Sequence, residues 1–215
     1  DYEFMGLKCS IGDVTHRIQA SELQDKGVLA NCHVNVLQTQ DHPQFKTYAE
    51  ELKWLTTDKV RMKWVANTIK DISTSGNTLI LVDRISAGQI LQEQLEDSVF
   101  VSGSTKNVDR KEQYDEVSTA TNKIIIATYG VASVGINIPR IFNLVLIEPG
   151  KSFVRVIQSI GRGIRKAEDK ENVQIWDITS SCKFAKRHLG ARKKFYKEAN
   201  YPYNIEKVNY ENPYT

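Results

Sequence analysis

Long hydrophobic runs are missing from this chain of 215 residues. The longest apolar segments, such as TLILV and NLVLI, have the size of buried strands, whereas a membrane helix needs about 20 apolar residues. We therefore expect no membrane partner. The first residues, DYEFMGLKCS, show neither the layout of a signal peptide nor an initiator methionine, which favours a piece of a longer protein.

Cysteine and ordered sets of metal ligands are also scarce. Cys9, Cys32 and Cys182 are odd in number and form no CxxC spacing, which favours reduced structural thiols and a cytoplasmic location. The four histidines are scattered without an HExxH motif, so a metal site is not expected. The composition, 40% hydrophobic and 26% charged, is typical of a globular chain with one domain plus additions or with two small domains.

Strand-like and helix-like segments alternate five times from Asn77 onward. The strand-like segments are apolar on both faces, which predicts an α/β fold: a parallel sheet with helices on both faces. Earlier in the chain, VLANCHVNVLQTQ alternates like a strand. One helix is predicted from about Pro43, and a second after a cap at Thr57 or Asp58, with Val60, Trp64, Val65, Ile69 and Ile72 on its buried face. The tail YPYNIEKVNYENPYT is predicted to add an edge strand or to stay partly disordered.

The segment QSIGRGIR ends an amphipathic helix with two glycines, each costing about 1 kcal/mol of helix stability relative to alanine. At about 100° per residue, a stripe of phenylalanine and isoleucine faces the sheet, and a second stripe carries Gln158, Arg162 and Arg165. Arginine suits bidentate contact with phosphate. Complementing the helix dipole is the simpler explanation of a terminal cation, but it does not explain the glycines.

Two further loops follow predicted strands. In ATYGVASVGINIP a strand ends at Thr128, and Gly135 and Asn137 follow; hydroxyl and N–H groups suit phosphate oxygens, and the amide suits a ribose hydroxyl. In SGSTKNVDR, Gly103, Lys106 and Arg110 precede or begin a helix and suit a backbone phosphate. An ordinary loop of small residues and a solvated turn are the respective alternatives.

A run without acidic residues extends from Lys183 to Lys197. Its cations are compatible with a polyanionic partner, and a solvated helix face is an equal alternative. The candidate contacts are Lys186, Arg187, Arg192, Lys193 and Lys194.

The order TLILVDR, VSGSTKNVDR, ATYGVASVGINIP, QSIGRGIR, over roughly residues 77–178, resembles the second RecA-like domain of superfamily 2 helicases. The resemblance implies that Arg162 and Arg165 reach the phosphates of ATP and that Gln158, Gly135 and Asn137 lie near the nucleotide. It also implies that Thr128, Gly103 and Arg110 contact a nucleic-acid backbone. Two positions depart from the pattern: Ser159 stands where many members carry arginine, and Asn137 where RNA helicases of the DEAD-box type carry aspartate.

The flanking segments GVLANCHVNV and FAKRHLGARKKFYKEANYPY resemble the recombination helicases of bacteriophages, the UvsW type. This resemblance implies branched DNA as partner, such as forks, junctions and R-loops, in recombination, repair and replication. DNA rather than RNA is also favoured by the GINIP form of the loop.

The chain contains no GxxxxGK[ST] motif and no DExH or DEAD box. Because hydrolysis needs a phosphate cradle and a Mg²⁺ carboxylate, ATP with Mg²⁺ is expected to be bound mainly by a first RecA-like domain.

The expected organisation is residues 1–40 as the end of that domain or a linker, 41–180 as the second RecA-like domain, and 181–215 as a basic helix and tail packed on it. We expect a monomer with little ATPase activity of its own. The alternative is a non-catalytic nucleic-acid binding or strand-annealing module; a sugar-nucleotide transferase fits the paired arginines poorly.

Overall fold

The computed structural model describes residues 32–103, 122–133, 141–150, 153–164 and 173–210, with the side chains of residues 159–164 left out. Seven strands lie in this part of the chain: β1 (Cys32–Thr39), β2 (Thr78–Val82), β3 (Val99–Val101), β4 (Ile124–Thr128), β5 (Asn143–Ile147), β6 (Val173–Ser180) and β7 (Tyr203–Val208). The helices are α1 (Tyr48–Thr57), α2 (Lys59–Ser73), α3 (Ile85–Gln94), α4 (Tyr129–Ser133), α5 (Phe153–Ile164) and α6 (Lys183–Glu198).

The strands form one sheet in the order β3-β4-β2-β5-β6-β1-β7, and every neighbouring pair is parallel. All residues of β2 and β5 are buried, because helices cover both faces of the sheet. One core contains Leu79, Leu81 and Ile125 with residues of α5 and α6. The other contains Ile80 and Val82 with residues of α2 and α3. The predicted α/β fold with a parallel, two-sided sheet is confirmed.

Strand β1 lies inside the sheet between β6 and β7. Val36 aligns with Asp177 on one side and with Ile205 on the other. Residues 32–39 are therefore part of the same sheet as the later strands, and a domain boundary at residue 40 is wrong. Residues 1–31 lie outside the described part. The tail does add an edge strand, β7.

The caps of the first two helices determine the residues at which these helices begin. Helix α1 begins at Tyr48, not near Pro43, because the Thr47 hydroxyl accepts the N–H of Glu50 at 3.2 Å. Asp58 caps α2 as predicted, accepting the N–H of Arg61 at 3.0 Å. Val60 was predicted to be buried but is 58% exposed; it lies about 200° around the helix from the buried Met62. In the ranges described above, no helix combines the length and hydropathy that crossing a bilayer requires.

Candidate nucleotide and nucleic-acid interface

The carboxyl ends of the parallel strands meet at one edge of the sheet, where α/β proteins bind ligands. Thr128 is the last residue of β4, and Gly103 follows the neighbouring strand β3. The Thr128 oxygen accepts the N–H of Val131 at 3.3 Å, which leaves its O–H proton to donate. Among the described residues, apart from its chain neighbours, none has a heavy atom within 4 Å of the position that a Cβ at Gly103 would take. Both residues lie at the carboxyl edge of the sheet.

Helix α5 shows the first half of the predicted apolar face. Phe153 and Ile157 are buried against the sheet, while Gln158 is half-buried and Arg155 is exposed. Arg162 lies in the last turn of the helix. The side chain of Arg162 lies outside what the structure describes, as do Arg165, Gly135, Asn137, Lys106 and Arg110.

Helix α6 presents a cationic face to solvent. Its first turn has no side-chain cap of its own. Instead the buried carboxylate of Glu51 accepts the N–H groups of Phe184 and Ala185 at 2.9 and 2.8 Å, which fixes the helix on α1. The exposed cations are Lys183, Lys186, Arg187, Lys194 and Lys197, and Lys193 is half-buried.

Arg192 is not part of that face. Its side chain is 2% exposed; Nε and Nη2 donate to the two carboxylate oxygens of Asp177 at 2.7 and 3.0 Å, and Nη1 donates to the Pro149 carbonyl at 2.7 Å. Tyr196 Oη donates to the same carboxylate at 2.7 Å. The assignment of Arg192 to a nucleic-acid surface is therefore wrong, because its donors are used inside the protein, where they join α6, β6 and the turn after β5.

A second buried network was not foreseen from the sequence. Arg61 is fully buried, and its guanidinium donates to Glu148 Oε1 at 2.7 Å, to the Thr39 hydroxyl at 3.1 Å and to the Leu55 carbonyl at 2.6 Å. Thr179 donates to the other oxygen of Glu148 at 3.2 Å. These bonds hold the carboxyl ends of β1, β5 and β6 together. The only sequence signal was an arginine next to the inward-facing Met62, and no spacing rule relates it to Glu148.

The family model "Helicase conserved C-terminal domain" matches residues 60–167, which is half of the chain. The chain belongs to this family.

Among curated relatives of this helicase C-terminal domain, the ATP-dependent DNA helicase uvsW of Enterobacteria phage T4 is 27% identical over 204 residues, covering 90% of this chain and 40% of that protein. A putative helicase 22 of the Sulfolobus islandicus filamentous virus is 31% identical over 104 residues, covering 46% of this chain and 18% of that protein. The chain thus spans less than half the length of these relatives.

Solved structures agree in fold. The crystal structure of T4 UvsW aligns with a TM-score of 0.71 at 24% identity, over 83% of this chain and 42% of that one. The C-terminal domain of the DEAD-box protein Dbp5 aligns with a TM-score of 0.55 at 18% identity, over 83% of this chain and 91% of that one. At these identities the likeness shows the RecA-like fold of the helicase C-terminal domain.

The side chains described for this helicase C-terminal domain fit ATP with Mg²⁺ only in part. Helix α5 offers the amide of Gln158 on its outer side, and Arg162 stands one turn later. In the described ranges no three His, Cys, Asp or Glu side chains come together as metal ligands.

Glu148 gives the helicase C-terminal domain a pH-dependent stability. Burial raises the pKa of its carboxyl group to about 7, although Arg61 and Arg192 favour the charged form. The pKa of Glu148 is higher in the folded state than in the unfolded state. At pH values between these two pKa values, the folded state therefore binds more protons than the unfolded state. Stability is therefore expected to fall as the pH rises from about 4.5 to about 7 and then to level off.

The measurement for this prediction is the urea midpoint of the wild type and of Glu148→Gln at pH 5, 6, 7 and 8. The glutamine variant cannot titrate at this position, so the difference between the two proteins isolates the carboxyl group. A difference that stays flat between pH 5 and 7 would show that the carboxylate is already charged at pH 5.

Proposed function

We propose that this helicase C-terminal domain is the carboxyl half of an ATP-dependent DNA helicase that remodels branched DNA, such as forks, junctions and R-loops, in recombination, repair and replication. The observation that carries the proposal is the cationic outer face of α6, on a sheet whose carboxyl edge presents Thr128 and Gly103. The similarity to a phage protein named as an ATP-dependent DNA helicase supports the choice of DNA.

On the nucleotide side, the proposed catalytic residues are Arg162 and Arg165, with Gln158, Gly135 and Asn137 near the nucleotide. The guanidinium groups would stabilise charge that develops on the transferring phosphoryl group. ATP with Mg²⁺ supplies that group and its electrophilic phosphorus, held mainly by a first RecA-like domain. The burial of Phe153 and Ile157 fixes α5 on the sheet, so the arginines would reach the phosphates only when the two domains close.

On the nucleic-acid side, the backbone of one strand is proposed to contact the Thr128 hydroxyl, Gly103, Lys106 and Arg110. The exposed cations of α6 would hold further phosphates. Domain closure would then move these contacts along the DNA, and repeated closure would give translocation or strand displacement.

Reversing two charges on α6 tests the DNA surface. The double variant Lys194→Glu and Lys197→Glu is expected to bind a labelled forked DNA about 10-fold more weakly at low salt. The slope of log K against log salt should become shallower by up to about 2, since each phosphate contact contributes about 0.9. Fluorescence anisotropy between 50 and 200 mM salt, a range in which such contacts dominate, measures both quantities.

A matched control uses Lys63→Glu with Lys70→Glu, which makes the same change of net charge on exposed positions of α2. Helix α2 packs on the opposite face of the sheet from α6. The control is expected to change affinity by less than about 2-fold, because exposed charges more than a Debye length away are screened. Equal losses in the two double variants would mean that net charge, and not the α6 face, attracts DNA.

The alternative function is a nucleic-acid binding or strand-annealing module without catalysis. It is favoured by the same cationic face, which needs no nucleotide to bind phosphate. One measurement separates the two functions. If the chain is the carboxyl half of a helicase, the ATPase activity of a first domain joined to it depends on Arg162. If the chain is a binding or annealing module, it does not.

A further inference from the structure

Aromatic and cationic side chains meet where α1 begins and α6 begins. We define the Tyr48 cluster as Tyr48, Lys183, Phe184, Arg187 and His188. The Tyr48 ring centroid lies 4.8 Å from that of His188, edge to face at 76°, and 6.3 Å from that of Phe184. Tyr48 is nevertheless 37% exposed, one of few large hydrophobic side chains in the described ranges with that much contact with solvent.

The cluster is held in place by buried bonds. Glu51 lies one turn after Tyr48 on α1, and its carboxylate accepts the first N–H groups of α6, from Phe184 and Ala185. This pair of bonds sets the position of Tyr48 relative to α6. The chain also leaves room for the phenol: a Cβ at Gly150 would lie 3.1 Å from the Tyr48 hydroxyl oxygen, tighter than ordinary van der Waals contact.

The two cations of the Tyr48 cluster contact the Phe184 ring and do not cover the Tyr48 ring. Lys183 Nζ lies 5.3 Å and Arg187 Cζ 5.5 Å from the Phe184 ring centroid, within the range of a cation–π contact. Both cations are exposed, so their remaining donors face solvent. Tyr48 is the most exposed ring of the cluster, since Phe184 and His188 are half-buried, and two positive charges lie beside its neighbour Phe184.

Simple packing between α1 and α6 explains part of this arrangement but not all of it. The small cluster beneath the two helices, with Leu55, Cys182 and Ala185, already supplies buried contact there. Tyr48 nevertheless keeps 37% of its surface in contact with solvent. A partly exposed ring beside cations is an arrangement that binds single strands, because bases stack on the ring and phosphates pair with the charges.

We propose that Tyr48 stacks on an unpaired base of a DNA strand whose phosphates are held by Lys183 and Arg187. The inference rests on the proposed function, since it gives the α6 surface a preference for unpaired DNA. The position of Tyr48 would allow one DNA strand to contact both Tyr48 and Thr128. Gly150 and Lys183, which neighbour Tyr48, follow the carboxyl ends of β5 and β6. Thr128 ends β4, which lies three strands from β6 in the sheet, a distance of about 14 Å at about 4.8 Å per strand.

The test compares single-stranded and duplex DNA on the chain itself. Fluorescence anisotropy is measured with a labelled oligothymidine and with a blunt duplex of the same length. Tyr48→Ala and Tyr48→Leu are expected to weaken binding of the oligothymidine about 10-fold, since stacking on one aromatic ring contributes about that much, and to leave duplex binding within about 2-fold. Tyr48→Phe, which keeps the ring, is expected to retain both affinities.

The leucine variant keeps apolar volume at position 48, so a loss that it shares with alanine comes from the missing ring. The matched control is Phe45→Leu, which removes an aromatic ring packed on Trp54 and is expected to leave both affinities unchanged. Unchanged binding of oligothymidine by Tyr48→Leu, or an equal loss for duplex, overturns the inference. In that case the double variant Lys194→Glu and Lys197→Glu shows how much fails. If the double variant still weakens DNA binding, only the inference about Tyr48 is wrong. If it does not, the proposed DNA surface on α6 is wrong as well.

Discussion

Replacing Arg162 by alanine is expected to lower DNA-stimulated ATP hydrolysis by about 10³-fold or more, the usual contribution of an arginine finger. The assay requires this chain joined to a first RecA-like domain that carries the Walker and DExH motifs. Because the guanidinium would act on charge that develops in the transition state, kcat should fall while KM changes little. Lysine should restore little activity, since its ammonium group lacks the planar fork of arginine.

Lys70 provides the control for this variant. It is exposed on α2, which packs on the opposite face of the sheet from α5, so Lys70→Ala removes a cation without touching the proposed site. We expect ATPase activity within about 2-fold of the wild type, as for surface substitutions away from special features. Full activity of Arg162→Ala would contradict the arginine-finger assignment, and a wild type without DNA-stimulated hydrolysis would favour the annealing module.

Replacing Arg192 by alanine is expected to destabilise the fold by about 3–5 kcal/mol, because it leaves a buried carboxylate without its cation. Asp177 is fully buried and would keep one short bond, from Tyr196. Tyr196→Phe removes only that bond, so a smaller cost of about 1.5–3 kcal/mol is expected. Urea unfolding at constant pH measures both, with an unchanged m-value as the check that the same cooperative transition is compared.

Lys194 is the matched control, two positions along the same helix but exposed. Lys194→Ala should change the free energy of unfolding by less than about 0.5 kcal/mol. The two residues therefore separate two roles within one basic run: Arg192 joins buried elements of the fold, and Lys194 lies on the proposed DNA surface. A stability unchanged by Arg192→Ala, together with weaker DNA binding, would return Arg192 to the nucleic-acid surface.

The sheet could be predicted from the sequence because apolar runs such as those of β2 and β5 have no polar face to expose. The position of β1 in the sheet could not be predicted, because its partner strands β6 and β7 are far away along the chain and such pairing leaves no local pattern in the sequence. The cap at Asp58 was predictable because a cap is a contact within one turn. Arg61 and Glu148 were missed because their pairing depends on where α2 crosses the end of β5.

Arg192 is a different kind of error, because the sequence contained the signal. At about 100° per residue, position 192 falls on the same stripe of α6 as Ala185, Leu189 and Tyr196, all of which are buried. A count of cations along the run hides this periodicity. On α5 the periodicity was used, and the burial of Phe153 and Ile157 confirms it. The roles of Arg162, Arg165, Gly135, Asn137, Lys106 and Arg110 stay predictions.

The position of β1 has a consequence for synthesis on the ribosome. Cys32 pairs with Val173, and Val34 pairs with Tyr203, so β1 meets its partners only after about 140 further residues have been synthesised. At about 5–20 residues per second, β1 would remain without either neighbour for roughly 7–30 seconds. During that interval its apolar residues would be exposed, and its unpaired edges could associate with other chains.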